Sequence, residues 1–372
     1  MTFKTLTLFL IAFLVGSDEF LLGPILTPIG ADLGVAPERV TLFIGAYALP
    51  LALFAPLLGG LSDRIGRQAV ILPSVAIFAL GSLGTAVSGS FSTAIATRAI
   101  TGLGAAGMLP VAFALAADSR PDRRMANIAA VQAGLTSGII LAPLYGAVMT
   151  DAFGWHSAFL GLALVGALLA PVTGRVTGAG AAPGTNAGQG KLLVPGAVPA
   201  ILAMGLGLGG AIGIYALAGE RIRDLNAIST REVGLVYAGF GLLTLMGNLA
   251  MPRLIPHVRD GRQLMLLCMA GVMLAIAALF LMPVGLVGGC LLMAVWAFLG
   301  GLGAPGLQAY LAGLSEKHRG ALMALGSSAM NLGVALWSGV AALLFARSAG
   351  FVAALAVLLI GAALIALYRR AD

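Results

Sequence analysis

Apolar stretches long enough to cross a lipid bilayer recur along this chain from its first residues to its last. A transmembrane helix needs about 20 apolar residues. Charged residues make up only 9% of the chain, against about 25% in soluble domains. The sequence therefore predicts an all-α membrane protein with twelve transmembrane helices and connections too short for a soluble domain. We expect the helices near residues 5–30, 39–61, 69–88, 91–117, 125–149, 156–173, 193–218, 231–252, 263–283, 285–311, 320–346 and 349–368.

The two halves of the chain resemble each other and are joined by a segment rich in small and polar residues. An offset of 195 residues superposes loop arginines and helix prolines, placing Arg67 on Arg262 and Pro110 on Pro305. Parallel six-helix repeats are a transporter architecture, in which the substrate site lies between the halves. We therefore expect two pseudo-symmetric six-helix bundles, at residues 1–173 and 193–372, joined by a flexible linker at 174–192.

The lysines and arginines of the predicted loops are distributed unequally between the two faces of the membrane. With both termini on one face, that face receives fifteen of them and the other receives five, while Arg98 falls inside the membrane. Positively charged loops favour the cytoplasmic side. We therefore expect an even number of helices and cytoplasmic termini.

The first apolar segment also has features of a secretory signal peptide, because Lys4 precedes the apolar run at 6–15. However, apolar character resumes at Phe20, and residues 16–18 form a poor cleavage site. We therefore expect a first transmembrane helix that is retained.

The first predicted helix carries two carboxylates at membrane depth, Asp18 and Glu19. Adjacent helical residues point about 100° apart, so one can face a central cavity while the other faces a neighbouring helix. An intramembrane carboxylate can bind and release a proton as access alternates between the two sides. Alternatively, one of the two neutralises Arg98 and never titrates. We predict proton coupling through these three residues, with Asp18 as the first candidate.

The connection between the second and third predicted helices carries the most specific motif in the chain. Residues 59–68 read GGLSDRIGRQ and resemble the G-x-L-x-D-R-x-G-R-[RK] signature of the major facilitator superfamily, with Gln68 in place of a cation. A short solvated loop that satisfies the charge distribution is the alternative. The resemblance implies a conformational latch between the halves at the cytoplasmic face, formed by Gly59, Asp63, Arg64, Gly66 and Arg67.

Two further motifs are similar to those of the same superfamily. In the fourth helix Arg98, Gly102 and Gly104 match R-x-x-x-G-x-G, and the alternative reading is a fixed internal ion pair. The fifth helix resembles the antiporter signature G-x-x-x-G-P-x-x-G-G with two glycines replaced by alanine. Small residues four apart also serve ordinary helix packing. The residues of this antiporter-like motif are Gly134, Gly138, Pro143 and Gly146.

The resemblance covers essentially the whole chain and is closest to the bacterial drug and sugar proton antiporters. It implies a proton-coupled secondary transporter, in the bacterial inner membrane, that exports a small lipophilic compound, neutral or cationic, by alternating access. A proton-linked importer of a small metabolite with the same fold is the alternative. We do not expect an enzyme, because the predicted helices contain no buried histidine and no nucleophile–base set.

Several polar side chains of the predicted helices are candidates for the substrate cavity, although the same residue types are common in helix packing. They are Tyr47, Gln132, Tyr237, Gln308 and Asn331. We expect a monomer whose partners are a small-molecule substrate and the bilayer, driven by the proton gradient without a cofactor. The three histidines and two cysteines form no metal-ligand pattern, and the scattered basic residues argue against nucleic-acid binding.

Overall fold

The computed structural model describes residues 2–176, 194–254, 261–315 and 318–368. This part of the chain is helical without strands and contains twelve helices long and apolar enough to span a membrane. The predicted all-α fold of two six-helix bundles is confirmed. The helices are α1 Phe3–Leu33, α2 Pro37–Ile65, α3 Arg67–Ala86, α4 Phe91–Ala117, α5 Pro121–Phe153, α6 Trp155–Arg175, α7 Ala197–Asn226, α8 Thr230–Met251, α9 Arg262–Leu281, α10 Leu286–Gly313, α11 Arg319–Phe345 and α12 Ala349–Tyr368.

Some of the sequence predictions fall outside the described residues. Most of the predicted linker at 174–192 does so, since the description stops at residue 176 and resumes at 194. The same holds for five of the cations used to orient the chain, namely Lys191, Arg259, Lys317, Arg369 and Arg370. The domain boundaries and the orientation therefore stay predictions.

One helix boundary differs from its prediction. Helix α7 was expected to end near residue 218, but it continues to Asn226. The expected end rested on the charged run from Glu220 to Asp224, which resembles a loop. In the structure Glu220 is only 3% exposed, so these charges lie within the packed helix.

Helix α1 changes geometry near Pro24 and Pro28, which are four residues apart. A 3-10 turn at Gly23–Ile25 separates its two α-helical parts. Proline has no N–H group, so Pro28 leaves the carbonyl of Pro24 without its usual intrahelical donor. The break therefore exposes a backbone acceptor within the bundle.

Close contacts between helix backbones repeat in the two halves. A Cβ added at Gly138 of α5 would lie 2.5 Å from the Phe13 carbonyl oxygen and 2.6 Å from the Ser17 nitrogen of α1. In the other half, a Cβ at Gly333 of α11 would overlap the carbonyl of Gly205 in α7. Glycine is required at these positions because the backbones touch. The sequence repeat thus corresponds to equivalent packing of α1 with α5 and of α7 with α11.

The two halves meet through their hydrophobic cores. The core of the amino-terminal half includes Ala216 of α7 and Val334 of α11, each 1% exposed. Two further apolar clusters fill the carboxy-terminal half. The halves are therefore packed directly against each other rather than joined only by a connecting segment.

Two close contacts between the halves lie on the same side of the membrane. The twelve spans of the described residues place the start of α1 and the end of α12 on one face, here called the terminal face, and the other is the opposite face. The hydroxyl of Thr41, near the start of α2, donates to the Ser338 carbonyl, 3.2 Å away, near the end of α11. Gly234, near the start of α8, lies against Ala147, near the end of α5. Both contacts belong to the opposite face, so the halves close on each other there.

We predict that Gly138→Ala destabilises the protein, because the new methyl group would meet backbone atoms of α1. The free energy of unfolding should fall by about 1–3 kcal/mol, measured by chemical denaturation in detergent micelles. Gly239→Ala is the matched control, since a Cβ there meets nothing within 4 Å. Equal effects of the two substitutions would contradict the packing role of Gly138.

Candidate functional site

A cavity of about 370 Å³ lies between the two halves and is lined by residues of both. Its wall includes parts of α1, α2, α4 and α5 from the amino-terminal half and of α7 to α12 from the other. A volume in this range suits a drug-sized molecule. Among the described residues, no group of three or more His, Cys, Asp and Glu side chains could hold a metal ion.

Glu19 is the one acidic or basic side chain on the described wall of this cavity. It has no ion-pair or hydrogen-bond partner among the described residues. Nothing in that part of the chain neutralises its charge directly. The carboxylate is therefore placed to meet either a proton or a charged group of a bound molecule.

Asp18 has the opposite environment, and its role as the first candidate for proton coupling stays a prediction. Its side chain is fully buried and its Oδ1 atom accepts a hydrogen bond from Arg98 Nη1 at 2.7 Å. Asp18 lies outside the residues that line the cavity. Since neighbouring residues of a helix point about 100° apart, the pairing of Asp18 turns Glu19 towards the cavity.

Two aromatic rings lie against the Arg98 guanidinium, in addition to its ion pair with Asp18. Its guanidinium carbon lies 4.9 Å from the centre of the Tyr47 ring and 5.4 Å from that of Phe159. Both distances are within the range of cation–π attraction. The residue is 0% exposed, so the alternative of a fixed internal ion pair describes its contacts here.

The glycines of the fourth helix explain how Arg98 comes so close to its neighbours. A Cβ at Gly102 would overlap the Tyr47 carbonyl of α2, and one at Gly104 would overlap the backbone of Phe78 in α3. These glycines let α4 pack tightly against α2 and α3. The R-x-x-x-G-x-G pattern therefore combines one buried charge with the small residues that make room for it.

Four aromatic side chains, here called the aromatic floor, form the part of the wall around the middle of the membrane. They are Phe20, Tyr215, Phe240 and Trp296. The ring of Tyr215 lies 5.5 Å from Phe20, 4.7 Å from Phe240 and 6.1 Å from Trp296. Edge-to-face and tilted contacts of this kind hold the rings in place. The floor offers rigid apolar surface and ring faces that attract cations.

Three of the five predicted cavity residues line the wall, and two do not. Gln132, Gln308 and Asn331 belong to the lining, where their amides supply neutral hydrogen-bonding groups. Tyr47 does not, because it packs against Arg98 as described. Tyr237 also lies outside the lining and is 0% exposed.

The role of Tyr237 is to join helices. Its hydroxyl accepts a hydrogen bond from the Gly219 N–H at 2.8 Å and lies 2.8 Å from the Tyr215 carbonyl oxygen, to which it donates. A Cβ at Gly23 of α1 would lie 2.9 Å from the Tyr237 ring. The sequence suggested Tyr237 as a cavity residue but does not show which way its side chain points. Tyr215 does line the cavity, but no feature of the sequence distinguished it.

The signature loop is ordered by contacts within the amino-terminal half. Arg67 forms an ion pair with Asp63, another with Asp118 at the end of α4 at 3.0 Å, and donates to the Ser62 hydroxyl at 2.8 Å. Gly66 has φ +98°, a value that favours glycine. Arg64 is exposed, and Gly59 approaches Pro110 of α4. These contacts of the described residues join α2, α3 and α4, and the predicted latch between halves stays a prediction.

Gln68, which replaces the cation of the signature, makes a contact with the end of another helix. Its amide donates to the Gly174 carbonyl, 2.8 Å away, near the end of α6. In the other half, Arg262 donates to the carbonyls of Leu367 and Tyr368 at the end of α12. Arg262 corresponds to Arg67 in the repeat, so neighbouring rather than equivalent positions donate to helix-end carbonyls in the two halves.

The antiporter-like motif of α5 has two packing faces. Gly134, Gly138 and Gly146 face α1, where added Cβ atoms would meet backbone or Leu21. Pro143 and Ala147 face Gly234 of α8 across the boundary between halves. The motif therefore serves helix packing in this conformation.

The sequence profile of the Major Facilitator Superfamily matches residues 8–283. This chain belongs to that superfamily. The D-xylose–proton symporter has a similar fold, with a TM-score of 0.78 at 16% identity over 99% of this chain and 97% of that one. Membership confirms a multi-pass membrane transporter, and not an enzyme.

Curated relatives include proteins with and without a described substrate. An uncharacterised MFS-type transporter of Bacillus subtilis, YtbD, is 25% identical over 88% of this chain and 84% of its own length. A triacylglyceride transporter of Mycolicibacterium hassiacum is 38% identical over 40% of this chain and 29% of its own. The multidrug resistance protein MdtL of Escherichia coli is 32% identical over 41% of this chain and 38% of its own.

We predict that Arg98→Met strongly destabilises the protein, because it leaves the Asp18 carboxylate buried without a partner. Removing one member of a buried pair costs about 3–5 kcal/mol, which chemical denaturation in detergent would detect. The double variant Asp18→Asn/Arg98→Met should recover part of this loss. A double variant no more stable than Arg98→Met would contradict the pairing.

Proposed function

We propose that this transporter exports small lipophilic compounds, cationic or neutral, in exchange for protons. One observation carries the proposal: Glu19, a carboxylate without a partner among the described residues, lies on the wall of an otherwise uncharged aromatic cavity between the halves. A proton and a cation are alternative partners for such a carboxylate. Competition between them is sufficient to couple two opposite fluxes.

The exchange follows from alternating access to Glu19. In the conformation described here the halves close at the opposite face, and the bias of lysines and arginines assigns the terminal face to the cytoplasm. A substrate that enters from that side displaces the proton of Glu19 and lies against the aromatic floor. After the halves rock, a proton from the other side displaces the substrate, and the protonated carrier returns.

Each part of the wall has a distinct role in this scheme. Glu19 exchanges the proton for the substrate, and the rings of the aromatic floor bind its apolar or cationic part. The amides of Gln132, Gln308 and Asn331 hydrogen-bond its polar groups. The Asp18–Arg98 pair positions α1 and does not itself exchange a proton.

The remaining features of the proposal concern the setting of the protein. We place it as a monomer in the bacterial inner membrane, with both termini in the cytoplasm. The proton gradient supplies the driving force, and no cofactor takes part. Similarity to the multidrug resistance protein MdtL over part of the chain supports export of drug-like compounds.

Two alternatives give different results in the same assay. A proton-linked importer would move substrate and protons in the same direction across sealed vesicles. A transporter of neutral lipids, which the similarity to a triacylglyceride transporter suggests, would move its substrate without need of Glu19.

We predict that Glu19→Gln abolishes substrate-driven proton movement in proteoliposomes, because the amide cannot bind and release the proton. The assay is a pH-sensitive dye inside the vesicles, with a lipophilic cation added outside. Asp122→Asn is the matched control, since this carboxylate is exposed near the start of α5. Undiminished proton movement in Glu19→Gln would contradict the proposed coupling.

We further predict that Trp296→Leu weakens binding of a lipophilic cation about tenfold, which corresponds to the loss of one cation–π contact. Equilibrium binding of a fluorescent cation to the purified protein measures this. Trp337→Leu provides a matched comparison, because Trp337 lies outside the cavity lining and packs against α7. Similar losses in both variants would show that the aromatic floor is not the binding surface.

A further inference from the structure

A second group of charged residues lies between the two halves, away from the cavity wall. Glu220 and Arg223 belong to the last turns of α7, while Pro24 and Thr27 belong to the outer part of α1. None of the four lines the cavity. Glu220 lies five residues beyond Tyr215, or about 7.5 Å along the helix towards the opposite face.

These four residues form a continuous hydrogen-bonded network across the boundary. Arg223 Nη1 donates to Glu220 Oε1 at 2.6 Å within α7. The Thr27 hydroxyl of α1 donates to Glu220 Oε2 at 2.6 Å, and Arg223 also donates to that hydroxyl. Arg223 Nη2 donates to the Pro24 carbonyl of α1 at 2.9 Å. Three of the four contacts therefore connect one half to the other.

The backbone break in α1 supplies an essential part of this network. Pro28 cannot donate to the Pro24 carbonyl, so the carbonyl needs a partner from elsewhere. Arg223 provides that donor from the other half. Because this contact joins α1 to α7, it breaks when the two helices separate.

Because the network is buried, its stability depends on each of its charged groups having a partner. The Glu220 side chain is 4% exposed and that of Arg223 is 14% exposed. Hydrogen bonds to charged groups are stronger than neutral ones, and a charged group left buried without its partner is strongly unfavourable. The network therefore holds the halves together only when all members are present.

We propose that Pro24, Thr27, Glu220 and Arg223 form a gate at the opposite face, which must break before the cavity opens to that side. This inference rests on the alternating access of the proposed function. It assigns the gate to the same two helices that carry Glu19 and Tyr215. Rocking of α1 against α7 would thus alter the binding site and the gate together.

Arg221 provides a matched control within two residues of Arg223. Its side chain donates to the Leu279 and Met282 carbonyls at 3.4 and 3.3 Å, both in the same half of the protein. Loss of Arg221 removes the contacts of a partly buried arginine in the same turn of α7 without breaking a contact between halves. A gate role and a general packing role therefore predict different results for the two arginines.

Cysteine labelling in lipid nanodiscs tests the gate without substrate or a proton gradient. The background is Cys268→Ser/Cys290→Ser. One reporter is Ala216→Cys, at a residue 1% exposed within the core shared by the halves. The other is Ser327→Cys, at an exposed residue of the cavity wall. A hydrophilic maleimide reports the accessibility of each.

Opening of the gate should change the two reporters in opposite directions. We expect Arg223→Gln to raise the labelling rate at Ala216→Cys about tenfold and to lower the rate at Ser327→Cys. Thr27→Val, which leaves no charge without its ion-pair partner, should act in the same direction with a smaller effect. Arg221→Gln should leave both rates within about twofold of the parent.

Two outcomes would overturn the gate. Unchanged labelling at Ala216→Cys in both Arg223→Gln and Thr27→Val would show that the network does not restrain opening. Faster labelling at both reporters would show a loosened fold instead. Because the assay involves neither substrate nor protons, a gate confirmed here would stand even if proton exchange proved independent of Glu19, and the reverse also holds.

Discussion

The ion pair between Asp18 and Arg98 is the interaction on which the rest of this structure depends. An arginine facing lipid at mid-membrane is unfavourable by at least about 2.5–3.5 kcal/mol, so Arg98 needs a partner inside the bundle. Asp18 supplies it at 2.7 Å, and this contact ties α1 to α4. The rotation of α1 is thereby set, and the next residue, Glu19, faces the cavity. One buried pair thus decides which carboxylate faces the cavity.

The binding site and the proposed gate are carried by the same pair of helices. Helix α1 contributes Glu19 to the cavity and Thr27 to the gate, while α7 contributes Tyr215 and Arg223. Since α7 is a continuous α-helix from Tyr215 to Arg223, a change in the packing of α1 against α7 reaches both sites. In the proposed mechanism, this arrangement connects what occupies the cavity with which face is open.

Sequence reasoning predicted what depends on hydropathy and on rare motifs. The twelve helices follow from apolar length, and the loop at 59–68 identified the superfamily. The rotation of α1 about its own axis could not be predicted from the sequence, because Asp18 and Glu19 are adjacent and either can face inwards. The network between α1 and α7 was missed because Glu220 and Arg223 resemble a loop until their partners in α1 are known. The orientation of Tyr237 depends equally on contacts with residues far away in the sequence.

Infrared difference spectroscopy tests most directly whether Glu19 is the carboxyl that exchanges its proton for substrate. The method detects the C=O stretch of a protonated carboxyl, and a lipophilic cation is added to the purified transporter. The signal of a protonated carboxyl should disappear on binding in the parent and in Asp18→Asn, and should be absent from Glu19→Gln. A signal that persists in Glu19→Gln and is lost in Asp18→Asn would contradict the assignment of the proton to Glu19.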